Sequence, residues 1–176
     1  IQMANKNDMK ERTLYYWSRI FAGQMEKGKA YSDLTQTITI NILNFRLLKE
    51  TSMFHTSYHL YEDVESFCLT DVMEIHFIEI PKLLVQWKRG ELDPWENLLA
   101  RWLLLLGAVN HNEIEEDIFR QLKTIAKEGD PIMKEAMDKW EDLSRDPKAR
   151  FEYESHLKAV LDDMAAVREA EKRYEK

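Results

Sequence analysis

The apolar residues of this sequence change their period once, and that change decides the fold class. Between Thr37 and Ile80 three short runs alternate apolar and polar residues, whereas from Asp93-Pro94 onward the apolar residues fall at helical spacing. A period of two belongs to strands and a 3–4 spacing to helices, so a strand-bearing first half leads into a helical second half. Strands gathered in one part and helices in another make the class α+β.

Each run predicts an element. Asp8 with Glu11 three places on has the capping-box spacing, and a helix is expected from Met9 to Glu26. Leu14, Trp17, Ile20, Phe21 and Met25 lie on one face of it, and Gly28 sits just past its end. Thr37–Phe45 is β-branched and apolar and reads as a buried strand, with Ile38, Ile40 and Ile42 set against Thr39 and Asn41. Phe54–Tyr61 reads as a strand with one wet face. Met73–Ile80 reads as a third strand ending at Pro81, antiparallel to the second across a long Glu62–Asp71 connection.

Four helices are expected in the second half. Pro94 suits a first turn of a helix reaching Ala108, a second spans Asn112–Lys127, Asp130-Pro131 opens a third and Asp146-Pro147 a fourth. In the last, Tyr153, Leu157, Val160, Met164, Val167, Glu171 and Tyr174 form a heptad seam with one polar break, which suits a homodimer through the C-terminal helix. The organisation read from these patterns is 1–90 as one part and 91–176 as a helical region packed on it.

Charge narrows the function classes. Residues 1–90 carry 11 Lys/Arg against 11 Asp/Glu, and residues 91–176 carry 14 against 21, which supplies the whole net charge of −7. The second half is therefore a poor partner for a phosphate backbone, which needs clustered cations. The single cysteine, Cys68, excludes an intrachain disulfide and points to a reducing compartment, the cytoplasm. The longest apolar run, Trp102–Leu106, is far short of the ~20 residues of a membrane span.

Few side chains are arranged for chemistry. Neither a glycine-rich phosphate loop, nor a zinc-ligand pattern, nor a nucleophile elbow is present. Cys68 lacks a basic neighbour and reads as a bland thiol. His55 and His59 share a face of their strand, as do Glu74 and His76 on the next, so the four cluster if those strands pair. The apolar residues lie opposite, which makes this a solvated histidine-rich face in preference to a metal site. Tyr15, Tyr16 and Trp17 point in three directions from a helix, with one or two facing the core and one facing a neighbour or ligand. Arg12, one turn before Tyr16, is a surface or ion-pair residue or a phosphate contact.

The chain opens on Ile1-Gln2 without a methionine, and a well-marked helix follows within a few residues. Such a helix normally follows a structured element, so the chain is expected to be an internal piece whose upstream strand lies outside it.

Several blocks at consistent spacing resemble one family. Asp8-Met9, Arg12-Thr13-Leu14-Tyr15-Tyr16-Trp17-Ser18-Arg19, Gln24, Gly28, Tyr31-Ser32, Leu34, Thr39-Ile40-Asn41-Ile42-Leu43 and Phe45 are similar to the PD-(D/E)XK nuclease family transposases, also called the recombination-promoting nucleases of bacteria. Leu69-Thr70-Asp71, then Glu74-Ile75-His76-Phe77-Ile78-Glu79-Ile80-Pro81-Lys82, match in the same register. The resemblance is strong over residues 1 to about 90 and follows the helical pattern to about 150.

It implies a mixed sheet with flanking helices, here a remnant of the family's core followed by four helices. It also implies an active site with an Asp on one strand and Glu-x-Gln on the next, the carboxylates holding Mg²⁺. Position by position, Gln2 corresponds to the Gln, and Ile1 to the x, whose backbone carbonyl resembles a main-chain metal ligand. The Glu would immediately precede Ile1 and the Asp lie further upstream. A glutamine exchanges no proton near neutral pH, so Gln2 at most positions water.

Three readings follow. The first is the C-terminal part of a Mg²⁺-dependent DNA endonuclease linked to recombination, inactive as this chain and with no metal expected on it. The second is a non-catalytic interaction or regulatory module using the helical region. The third is a domain whose nuclease ancestry is only structural. In the first, Arg12 and Tyr16 are the candidate DNA contacts.

Overall fold

The computed structural model describes residues 8–110, 116–145 and 155. Ile1 and Gln2 lie outside them, as does the expected final helix with its seam, apart from residue 155. The chain divides into two compact units, one up to Val85 and the other from Gln86.

The first unit is built on a three-stranded sheet in the order β1-β3-β2, with β1 Thr37–Leu43, β2 His55–Tyr61 and β3 Cys68–Glu79. β1 runs parallel to β3 with Asn41 opposite Phe77, and β2 runs antiparallel to β3 with Ser57 opposite His76. A parallel neighbour needs a crossover, and the chain between β1 and β3 supplies it together with β2. The sheet is mixed and the class is α+β.

β3 starts at Cys68, so the β2–β3 connection is shorter than Glu62–Asp71. Its tip is self-supporting: the Glu62 carboxylate accepts from the amides of Val64 and Glu65, and the Glu62 amide donates to the Phe67 carbonyl at 2.9 Å. Such carboxylate-capped turns can be placed by pattern only within a few residues.

α1 (Met9–Gly23) starts where expected but departs from expectation in its cap, its C-terminal end and its face. Asp8 makes no side-chain hydrogen bond to the first turn, so the capping box does not form. The helix stops at Gly23, short of Glu26, and the Gln24 side chain turns to the loop leading into β1. Its buried residues are Met9 and Thr13, while Leu14 and Ile20 are exposed. β1 differs likewise: Thr37, Asn41 and Leu43 are buried, whereas Ile38 is 49% and Ile40 61% exposed. Polar anchoring explains both reversals, since Thr13 and Asn41 bond to each other and bring their own faces together. The apolar core here is Met9, Leu43, Leu48, Ile75 and Phe77, with Phe45, Leu47 and Met73 against it.

β3 passes directly into α2 (Ile80–Lys88), a helix that the alternation up to Pro81 conceals. Proline is tolerated in a first turn, whose amides have no helical acceptor, so Pro81 starts the helix as readily as it ends the strand. At this junction Glu79 and Lys82 are both buried.

The second unit carries α3 (Leu98–Asn110), α4 (Glu116–Glu128) and α5 (Pro131–Arg145). α3 begins later than Pro94, because residues 94–96 form a turn held by Asp93 and the Asn97 side chain accepts from the Ala100 amide at 2.9 Å. α5 begins where expected: Asp130 accepts from the Met133 amide at 2.9 Å, an N-cap bond. Its other carboxylate oxygen meets Arg101 at 2.7 Å, and Arg101 also donates to the carbonyls of Pro94 and Trp95. Leu103, Leu104, Ile118, Leu122, Ile125, Met133 and Met137 are buried on the three helices.

Candidate nucleic-acid interface

α1 is fastened to β1 by polar side chains on its inner face. The Thr13 hydroxyl donates to Asn41 Oδ1 at 3.1 Å, and Asn41 Nδ2 donates to the His76 carbonyl at 3.0 Å. Trp17 Nε1 donates to the Thr37 carbonyl at 2.9 Å. Gln24 uses its whole amide: Nε2 donates to the Thr35 carbonyl and Thr37 Oγ1, and Oε1 accepts from the Thr35 amide and hydroxyl. These bonds fix the rotation of the helix about its axis.

That rotation decides what faces out. Trp17 turns inward and stacks on Phe21 with ring centroids 5.0 Å apart, while Tyr15 and Tyr16 are exposed. Arg12 and Tyr16 are one turn apart and share a side of the helix. The Arg12 guanidinium stands 4.0 Å from the Asp8 carboxylate, a loose pair with both side chains reaching solvent. Sequence reasoning did not single out the neighbouring pair, in which the Arg19 guanidinium lies over the Tyr15 ring at 5.8 Å. Its signal was the four-residue spacing between the two, a distance that brings side chains together on a helix.

The charge of the surrounding chain is polarised. Residues 1–49 hold eight Lys/Arg against four Asp/Glu, whereas residues 50–81 hold seven Asp/Glu and neither Lys nor Arg. The neutrality of the first half is therefore a sum of opposite parts, the acidic stretch being offset by residues 1–49 and by Lys82, Lys88 and Arg89 after it. Of the two stretches that build the sheet and its flanking helix, the one with α1 has the sign to attract a phosphate backbone.

On the other side of the sheet β2 and β3 pair, and the histidine cluster forms. His55 Nε2 lies 2.9 Å from His76 Nδ1, and His76 Nε2 lies 2.9 Å from Glu74 Oε1. Gln36 donates to the other Glu74 oxygen at 3.0 Å. The expectation of loosely solvated rings is corrected: His76 and Glu74 are 17% and 22% exposed, and their partners fix their orientation. Among the described residues, no group of three or more His, Cys, Asp or Glu side chains is placed to hold a metal ion. Cys68 is exposed and its Sγ–H donates to the Thr70 carbonyl.

A sequence model described as PD-(D/E)XK nuclease family transposase matches residues 1–170. No curated protein and no solved structure matches the chain. No helix among the described residues is long and apolar enough to cross a membrane.

Proposed function

The chain belongs to the PD-(D/E)XK nuclease family transposases, and from that premise we propose that its parent protein is a cytoplasmic, Mg²⁺-dependent DNA endonuclease linked to recombination. Residues 1–90 are the C-terminal part of its nuclease-like core, and residues 91–176 are its helical region. DNA is the partner, and the 176-residue chain by itself binds DNA without cutting it.

The observation that supports DNA binding is the outer face of α1. Arg12, Tyr16, Tyr15 and Arg19 are presented there by a helix whose inner face is fastened by Thr13, Trp17 and Gln24. Guanidinium groups recognise phosphate oxygens, and tyrosines add hydroxyl donors and a flat surface. The acidic β2–β3 hairpin repels the same polyanion, so the duplex is expected against α1 and away from the hairpin.

The described residues do not form a carboxylate set for Mg²⁺. By the resemblance, the ligands correspond to positions ahead of Ile1, with the Ile1 carbonyl completing them and Gln2 orienting water. Mg²⁺ in such a site supplies charge stabilisation at the scissile phosphate and a more acidic bound water.

The test has two parts. Supercoiled plasmid with Mg²⁺ or Mn²⁺ is expected to stay intact with this chain, and fluorescence anisotropy on a duplex is expected to show binding that weakens with salt. Nicking above a blank preparation, or binding unchanged by Arg12→Ala with Arg19→Ala, would overturn the proposal.

A further inference from the structure

Three imidazoles and one carboxylate form a line over the sheet face opposite α1. His55 and His76 are 2.9 Å apart, His76 and Glu74 2.9 Å, and His59 Nε2 stands 3.7 Å from the same Glu74 oxygen. The register sets Ser57 opposite His76, so His55 reaches its partner diagonally across the two strands. From β1 the neighbours in register are Ile38 beside Glu74 and Ile40 beside His76, both uncharged, with Gln36 just before the strand. The titratable groups along the line are thus His55 and His59 from β2 and Glu74 and His76 from β3.

Proton counting shows what this line tolerates. A bond between two imidazole nitrogens needs one of them bare. In the neutral pair His55 Nε2–H donates to His76 Nδ1, while His76 Nε2–H donates to Glu74. With one added proton, His76 Nδ1–H donates to His55 Nε2, and the cationic ring stays against the Glu74 carboxylate. With a second, two N–H groups and two cations meet at the same place, and no tautomer restores the bond.

We propose that the His55–His76 contact is a proton-responsive latch on the start of β2, closed with no proton or one added and opened by the second. Burial holds His55 below the ordinary imidazole range, and charge on His76 adds to the effect, so the second proton is harder to add than to a free imidazole. Opening releases more than one side chain. The residue before His55, Phe54, accepts from the Glu79 amide at 2.8 Å, so parting the rings loosens the strand where it joins β3.

The sign follows from linkage. His55 binds its proton less readily in the folded state, so stability falls as pH drops through the ordinary imidazole range towards the folded value. Below the folded value the loss levels off.

The experiment uses the full chain. Amide exchange, corrected for intrinsic rates, and histidine Cε1–H resonances are followed from about pH 7.5 to about pH 4.5. Protection of the β2 amides is expected to fall about tenfold or more while that of α1 stays within about threefold. The resonances of His55 and His76 are expected to move together in two coupled steps. His55→Gln, which has no ring to charge, is expected to keep β2 protection flat over the range. Parallel loss in β2 and α1, or independent single-step titration of His55 and His76, would overturn the latch. The titration reads on the wild-type chain, so the result does not depend on a variant folding.

Discussion

The Glu79 carboxylate and the Lys82 ammonium meet at 2.6 Å with side chains only 1% and 7% exposed. Each is satisfied further: Glu79 Oε2 accepts from the Leu47 amide at 2.7 Å, and Lys82 donates to the Leu48 carbonyl at 2.6 Å. Two charges taken out of water cost several kcal/mol, and their mutual attraction and added bonds offset that cost only while both are present. The pair therefore ties the 47–48 backbone to the β3–α2 junction.

Removing one partner strands the other. Lys82→Ala is expected to lower stability by about 3–5 kcal/mol, read from urea unfolding. Glu79→Leu with Lys82→Met removes both charges and is expected to recover part of that. It still leaves the Leu47 amide and the Leu48 carbonyl without these partners, at about 1–3 kcal/mol each where they stay buried. Full recovery in the double variant would show that the backbone bonds matter little.

Thr13 gives a smaller and more local expectation. Its hydroxyl is the donor to Asn41 Oδ1, in a contact that is buried and links residues 28 apart. Thr13→Val keeps the shape and deletes the donor, so Asn41 Oδ1 is left dry, at about 1–3 kcal/mol. Thr13→Ser keeps the donor and is expected to fall nearer the parent. Equal losses in both variants would assign the effect to packing instead.

That contact also marks the limit of what the sequence makes legible. Ile38, Ile40, Leu14 and Ile20 carry the stronger apolar pattern, and hydrophobicity alone turns those faces inward. The chain instead buries Thr13, Thr37 and Asn41, because a pairwise hydrogen-bond match between α1 and β1 has no signature in periodicity. The strands of β1 and β2 and the start of α5 were legible, since β-branched alternation and an Asp-Pro cap are local signals. α2 was not, because its first turn continues the apolar run of β3. Of the candidate contacts, Arg12 and Tyr16 were found from their spacing, while Arg19 over Tyr15 needed the rotation of α1 to be known. The fastening of His76 by His55 and Glu74 was foreseen as a clustering but not as a bonded line, since diagonal reach depends on register.

Asp130 links α5 to α3 and leads to a pH expectation. The Met133 amide bond, and next the Arg101 hydrogen bond, hold its carboxyl below the ordinary aspartate range. A depressed folded value means that the unfolded chain binds the proton first, so this stabilisation is present above the unfolded value and is lost as pH falls towards the folded one. Asp130→Ala is expected to cost about 1–2 kcal/mol at neutral pH through the lost cap. Its unfolding free energy, measured by circular dichroism from about pH 5 to about pH 2, should fall less steeply than the parent's. An identical acid slope would rule out Asp130 as a contributor.

The face of α1 supports the last prediction, and salt separates its terms. If Arg12 and Arg19 each neutralise a phosphate, each contact releases counterions, and the slope of log K against log salt shrinks by about 0.9 when one is removed. Arg12→Ala and Arg19→Ala are therefore each expected to weaken duplex binding and flatten that slope by about one unit. Tyr16→Ala removes a neutral side chain, so it is expected to weaken binding at all salt concentrations and leave the slope unchanged. Replacing Glu65 in the acidic hairpin by Lys supplies a control on position. Glu65 lies on the β2–β3 turn, in the stretch without Lys or Arg, so Glu65→Lys is expected to alter the slope far less than either arginine variant. An equal response from the hairpin and from α1 would mean that net charge alone drives the binding, and that α1 has no special role in it.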